Sequence, residues 1–343
     1  MQFFYNFAAY ISFSNRQFIK RKHLYTMKQF TIGLDLGGTN SVFGIVDRNG
    51  NIVAETTIKT QGFANAEQYV DASMVALNKI IAQVGGIETI SSMGIGAPNG
   101  NILSGCIEYA PNIAWAHEGM IPLARMFSER LNKISVKITN DANTAALGEM
   151  KYGAAKDMKD FIVLTLGTGV GSGIVCNGQL VVGCDGNAGE LGHVIVEREN
   201  GRQCGCGRRG CLETYCSATG VARTARQFLA DTNEESVLRN KKAEEITSYD
   251  VAKAAEGGDV LAKKIFDYTG TIMGKACADM AAFSSPEAFI FFGGLSKAGR
   301  LLLDPIEKAY NENVMATFRG KAKFMLSAIE GAGASVLGAA SIE

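Results

Sequence analysis

The tract "LDLGGTNSVFGIVDRNGNIV" at residues 34–53 returns at residues 164–181 as "LTLGTGVGSGIVCNGQLV". Each copy reads as a strand, a glycine turn, a second strand, an Asn-Gly turn and a third strand. The copies differ by one residue in the first turn. A β-meander repeated within a chain of 343 residues implies two similar units, each with its own core, facing a cleft. The surrounding patterns suit α/β units. Residues 66–85 have helical periodicity, and "TISSMGIGAP" runs a strand into a Gly-Ala-Pro loop. "SVKITN" leads into the helical "DANTAALGEMKYG", and residues 216–231, 248–256 and 258–283 are expected to be helical. "EAFIFFGGLSKAG" is an apolar strand opening on a diglycine and a helix, and the chain ends in a small-residue helix, "AIEGAGASVLGAASIE".

Charge narrows the function. Lys plus Arg and Asp plus Glu both total 34, so the whole molecule offers no net attraction to nucleic acid or an anionic membrane. No apolar run reaches the roughly 18 residues of a transmembrane helix. Eight cysteines spread over a long chain without a secretory signal point to a cytoplasmic protein with reduced thiols. Clustered cysteines are then metal ligands rather than disulfides. Residues 1–26 are aromatic-rich and hold Arg16, Lys20, Arg21 and Lys22 but no acid. They are expected to be a disordered leader or a mis-assigned start, because Met27 stands directly before "KQFTIGLDLGG".

Three strands end in glycine turns: "DLGGTN" (35–40), "LGTGVGSG" (166–173) and "GGLSKAG" (293–299). Any one of them could be a plain hairpin. Together they suggest backbone N–H groups converging on phosphates. No Walker pattern occurs, and "GTGVGSG" leads into a strand rather than a helix, which disfavours a Rossmann dinucleotide site. Asp35 precedes the first turn. A carboxylate beside phosphates calls for an intervening cation, so Asp35 is a candidate Mg²⁺ or Mg²⁺-water partner, or else a residue of the turn itself. Asn140-Asp141 stands where a strand gives way to a helix. Either residue suits an N-cap. Between phosphate turns, Asp141 could instead take the proton of a hydroxyl attacking a γ-phosphoryl group, with Asn140 holding the sugar.

The tract "ELGHVIVERENGRQCGCGRRGCLE" supplies His193, Cys204, Cys206 and Cys211. One imidazole and three thiolates form a closed tetrahedral set for structural Zn²⁺. The spacing is neither that of a zinc finger nor a C-x-x-C redox pair. Glu190 and Glu213 flank the ligands, and a metal clip would hold both carboxylates beside the imidazole, a group suited to sugar hydroxyls. Arg208 and Arg209 are expected to be solvated.

From Lys28 to Glu343 the chain resembles the ROK family of sugar kinases, most closely its bacterial glucokinase branch. The likeness rests on "LDLGGTN", "GAP", "PNIAW", "NDANTAALGE", "LGTGVGSGI", "ELGH", "CGCGRRGCLE" and "GGLS", in the family's order. It implies an α/β, actin-like ATPase fold: two α/β domains of ribonuclease H-like topology around a central cleft. Residues 27–140 would form the smaller domain, joined by a final helix at about 328–343. Residues 141–327 would form the larger one, with the zinc insertion at 190–213. By the same resemblance Asp141 is the catalytic base, and Asn112, Asn140, Glu190, His193 and Glu213 contact the sugar. Gly37, Gly38, Thr39, Gly167, Thr168 and Gly169 contact the phosphates of ATP, which is bound with Mg²⁺, and Gly293 and Gly294 lie by the nucleotide. A homodimer is implied. The expected reaction is phosphorylation of the glucose 6-hydroxyl; an N-acetylated hexosamine (N-acetylglucosamine or N-acetylmannosamine) is the alternative substrate. A sugar-responsive repressor of the family needs a helix-turn-helix module, which 26 residues before Met27 do not supply. One departure stands out: many members carry glycine where this chain has Asn99, in "GAPNGN".

Overall fold

The computed structural model describes residues 28–329 and 333–342, so the leader expected at 1–26 lies outside the described residues. The first unit opens with β1 (Phe30–Leu36), β2 (Asn40–Val46) and β3 (Ile52–Lys59), followed by α1 (Ala66–Gln83) and β4 (Ile90–Gly96). A small sheet of β5 (Gly100–Asn101), β6 (Cys106–Glu108) and β7 (Met120–Ile121) follows, then α2 (Leu123–Arg130) and β8 (Ser135–Thr139). Next come α3 (Asp141–Tyr152), β9 (Phe161–Leu166), β10 (Val170–Cys176) and β11 (Gln179–Leu180). After the cysteine-rich segment run α4 (Glu213–Cys216), α5 (Ala218–Asp231), α6 (Ser248–Glu256) and α7 (Val260–Ser284). The chain finishes with β12 (Ala288–Phe292), α8 (Arg300–Asn313), β13 (Lys323–Leu326) and α9 (Ala334–Ala339).

The repeat seen in the sequence extends through both sheets. The first has the order β3-β2-β1-β4-β8 and the second β11-β10-β9-β12-β13. In each, an antiparallel meander continues into two parallel strands beside its first strand. The one-residue difference is visible in the register: Leu36 pairs with Ser41, whereas Leu166 pairs with Val170. Strands β9 and β12 are buried almost throughout, as "FIVLTL" and "AFIFF" foretell for strands covered on both faces. Phe289, Phe291, Phe266 and Ile306 fill the second core, and Phe43, Tyr69 and Phe127 the first.

The end of the chain packs on the first sheet. Gly33 and Gly94 are register partners on β1 and β4. A Cβ at Gly33 would lie 2.1 Å from the Val336 carbonyl oxygen, and one at Gly94 1.9 Å from that of Ala339. Only bare backbone lets α9 come so close. Helix α3 faces the other way, with Ala142 and Ala146 against the glycines of β10, while its Thr144 carbonyl touches Gly338 of α9. Asp141 therefore begins a helix wedged between the two sheets.

The structure corrects two sequence expectations and adds two short elements. The final helix, expected over 328–343, is described only at Ala334–Ala339; Ala328 and Ile329 are not helical, and the Ser327 N–H instead donates to the Phe291 carbonyl. The helix expected at 216–231 breaks at Ser217, whose hydroxyl caps α5 by accepting from the Gly220 N–H at 3.0 Å. Strand β13 and helix α2 carry no strong sequence signal, because four and eight residues are too short to show a period.

Candidate active site

Asn140 is the N-cap of α3: its side-chain oxygen accepts from the Asn143 N–H at 2.7 Å. This leaves Asp141 as the first helical residue, exposed, with one carboxylate oxygen accepting from the Ala142 N–H at 2.9 Å. Asp35 comes from the far sheet, near the end of β1. The two carboxylates line one cavity of about 160 Å³ with Thr144, Glu149, Thr165 and Ser335. Burial pushes the Asp35 carboxyl above its ordinary value; the Ser335 hydroxyl pulls it back, and the Asp141 charge pushes it further up. Two acids facing one small space favour a cation between them. The buried Glu149 secures the cavity floor, accepting from the Ala154 N–H at 2.6 Å and from the Ser327 hydroxyl.

The glycine turns fall into two places. In the first, the Gly37 N–H donates to the Asn40 carbonyl at 3.0 Å, and the Thr39 carbonyl accepts from the Thr60 N–H at 3.0 Å. In the second, the Gly167 carbonyl accepts from the Ala218 N–H at 2.9 Å and the Thr168 carbonyl from the Thr219 hydroxyl at 2.6 Å, so the start of α5 holds it. Gly293 has φ +104°, and its carbonyl accepts from the Ser296 hydroxyl at 2.7 Å. Gly167, Thr168 and Gly294 open on a cavity of about 620 Å³, also lined by Tyr249, Lys253 and Lys297. No sequence pattern marks Tyr249 or Lys253, and Lys297 lies within the third glycine turn; α6 and the turn after β12 bring them together. The first turn does not line this cavity. It is tied to Asn112, an exposed loop residue, through Gln61.

His193, Cys204, Cys206 and Cys211 converge, with ligand atoms all within 4.8 Å of one another. The Cys206 and Cys211 sulfurs are 3.6 Å apart, and Cys204 Sγ lies 3.7 Å from His193 Nδ1. Tetrahedral ligands around zinc stand about 3.3–3.8 Å apart, so both the donor set and its spacing fit that metal. The local fold explains the convergence. Gln203 bridges to Arg209 and Ile195 to Cys211, forming a tight hairpin that turns at Gly207, φ +87°. Both arginines are exposed, as expected, and they also brace it: the Arg208 guanidinium donates to the His193 carbonyl and that of Arg209 to the Gly201 carbonyl, each at 2.9 Å. Hydrogen bonds from Arg208 bring the Cys206 thiol down to about 6, the thiolate side a metal ligand needs.

The flanking acids join this cluster. Glu213 Oε1 is 3.8 Å from His193 Nδ1 and accepts from the Cys204 thiol at 3.0 Å. A Cβ at Gly169 would lie 2.7 Å from Glu213 Oε2, which places this carboxylate against the second glycine turn. Burial raises the Glu190 carboxyl, His193 opposes that, and the charges of Asp141 and Glu213 add to it. Asp141, Glu190, His193 and Glu213 thus form one electrostatic neighbourhood. Asn99 has φ +53°, and its side-chain amide donates to the carbonyls of Glu108 at 3.0 Å and Tyr109 at 3.1 Å. Trp115 is a packing residue, stacked on Tyr69 at 4.5 Å with its indole N–H on the Thr60 carbonyl.

Two α/β units of one topology, with acids and glycine turns at their junction, define the actin-like ATPase fold. The solved structure of a ROK family glucokinase from Streptomyces griseus, in complex with glucose and AMPPNP, matches with a TM-score of 0.71 and 35% identity, covering 91% of this chain and 98% of that one. The chain belongs to the ROK family, whose pattern it matches over residues 31–343. A glucokinase of Halalkalibacterium halodurans is 36% identical over 316 residues, 90% of this chain and 92% of that protein. The Escherichia coli DNA-binding transcriptional dual regulator NagC is 29% identical over 298 residues, 84% of this chain and 69% of the regulator. Similarity to glucokinases at this level, over nearly the whole of both chains, makes this an ATP-dependent sugar kinase.

Proposed function

We propose that the protein transfers the γ-phosphoryl group of ATP to the 6-hydroxyl of glucose, with Asp141 as general base. The observation that supports the reading is the cavity shared by Asp35 and Asp141, with the Asp141 charge also acting on the Glu190 carboxyl alongside His193 and Glu213. Glucose is the preferred hexose because kinases similar to this chain over most of its length, such as that of Halalkalibacterium halodurans, are glucokinases. Asn112, Asn140, Glu190 and Glu213 hold the sugar hydroxyls, together with the His193 ring nitrogen turned away from the thiols. Asp141 accepts the 6-hydroxyl proton as that oxygen attacks the γ-phosphorus and the bond to the β-phosphate oxygen breaks, releasing ADP. Asp35 would hold Mg²⁺, whose charge would offset that developing on the phosphates. The turns at Gly37–Thr39 and Gly167–Gly169 present N–H groups to the phosphates, and the 620 Å³ cavity with Tyr249 takes the nucleoside beside Gly293 and Gly294.

Zinc held by His193, Cys204, Cys206 and Cys211 would act as scaffold, with no open position for chemistry. With Cys204 as a thiolate, its hydrogen bond to Glu213 is lost and that carboxylate oxygen is available to a sugar hydroxyl. Such a cluster requires reduced thiols and so a cytoplasmic setting. Residues 27–140 with α9 form one lobe and 141–327 the other, in a homodimer.

The test is ADP release across glucose, mannose, fructose, N-acetylglucosamine and N-acetylmannosamine, run with the wild type and Asp141→Asn. Turnover highest on glucose is expected. Asp141→Asn lowers kcat by about 10²–10⁴-fold while glucose affinity stays within a few-fold. Near-normal turnover in a folded Asp141→Asn protein overturns the assignment of the base; preference for an N-acetylhexosamine overturns that of the sugar.

A further inference from the structure

Gln61 lies just past the end of β3, half-buried, and no motif marks it. Its side-chain NH₂ donates to the Gly38 carbonyl at 2.7 Å and to the Asn112 carbonyl at 2.8 Å. Its side-chain oxygen accepts from the Ala114 N–H at 3.2 Å. All three contacts agree on the orientation of the amide, since carbonyls demand a donor and the N–H an acceptor. Gly38 belongs to the first glycine turn; Asn112 and Ala114 belong to the loop expected to meet the sugar. The turn and the loop already touch, a Cβ at Gly38 lying 3.4 Å from the Asn112 oxygen. The Gly38 and Asn112 carbonyls share one donor group, and Gln61 supplies it. The adjacent residue reinforces the junction: the Thr60 N–H holds the Thr39 carbonyl, and the Thr60 carbonyl accepts from the Trp115 indole at 2.8 Å.

We infer that Gln61 is a positioning residue that couples hexose binding at the Asn112 loop to nucleotide binding at the Gly38–Thr39 turn. The inference rests on the kinase reading above. Sugar ordering the loop orders the turn through one shared amide, so each ligand raises affinity for the other. The amide is required rather than bulk: leucine supplies no donor, and glutamate sets a carboxylate against two carbonyl oxygens.

Titration calorimetry of AMPPNP with and without glucose, and of glucose with and without AMPPNP, tests it on wild type, Gln61→Leu and Gln61→Glu. The wild type is expected to show reciprocal coupling of about fivefold or more, within the usual range for linked sites. Both variants are expected to lose most of that factor while still binding each ligand alone, with kcat reduced at saturation of both substrates. A structural role alone would lower thermal stability and both separate affinities but leave the coupling factor intact. Coupling retained in either folded variant, or absent from the wild type, overturns the inference and leaves the kinase reading standing. A wild type without turnover on any hexose overturns the kinase reading instead.

Discussion

Asp35 carries a charge that its surroundings disfavour. Burial raises its carboxyl, and Asp141 adds to the shift. A group whose folded-state pKa is raised contributes stability that is complete below the unfolded value and lost as pH rises through the folded one. At neutral pH the ionised Asp35 therefore weakens the fold. Asp35→Asn is expected to raise the thermal midpoint at pH 7 while depressing turnover, and its advantage should shrink as pH falls into the carboxylate range. Thermal melts of both proteins from pH 7 to pH 4 check this; an unchanged or lower midpoint at pH 7 would contradict it. Asp35 and Asp141 were both legible from their neighbours in sequence, a glycine turn and a strand-to-helix junction. That they share one cavity was not, because they lie on different sheets. Asn99 makes a like case. Its departure was legible in the sequence, but only the fold shows its left-handed backbone, which asparagine tolerates, and its side-chain bonds to the Glu108 and Tyr109 carbonyls.

Among the elements, the hairpin carrying Cys204, Cys206 and Cys211 and the short turn at His193 owe their ligand geometry to tight backbone turns. Their connection to Glu213, at the start of α4, would make the cluster a support for the proposed sugar site. Cys206→Ser is expected to lose zinc, measured by elemental analysis, and to raise the KM for glucose by about tenfold or more, equivalent to about 1.4 kcal/mol. Full retention of glucose affinity in the zinc-free protein would show that the cluster stabilises the fold without organising the site. Ligand identity was readable because cysteine spacing is distinctive. The bracing by Arg208 was not, since an arginine beside glycines looks like any solvated residue until the hairpin folds it onto the His193 carbonyl. Helix α9 was half readable: its small residues announced close packing, but its length did not follow, since helix ends depend on what the neighbouring chain satisfies.

At the scale of the whole molecule, two sheets of one topology meet at α3 and α9, which pack closely on each other through Thr144, Gly148 and Gly338. Glucose is expected to bring the two lobes together. Small-angle scattering should show a smaller radius of gyration with saturating glucose; an unchanged profile would argue that the site is preformed in its closed shape. The duplicated meander and the glycine turns were written in the sequence, because strand alternation and turn chemistry act over a few residues. So was the clustering of His193, Cys204, Cys206 and Cys211. Which turn faces which cavity, how Gln61 joins Gly38 to Asn112, and how Ser335 reaches Asp35 from the far end of the chain were decided only by tertiary structure. Contacts between distant residues depend on the packing of whole sheets and helices, and no local period encodes them.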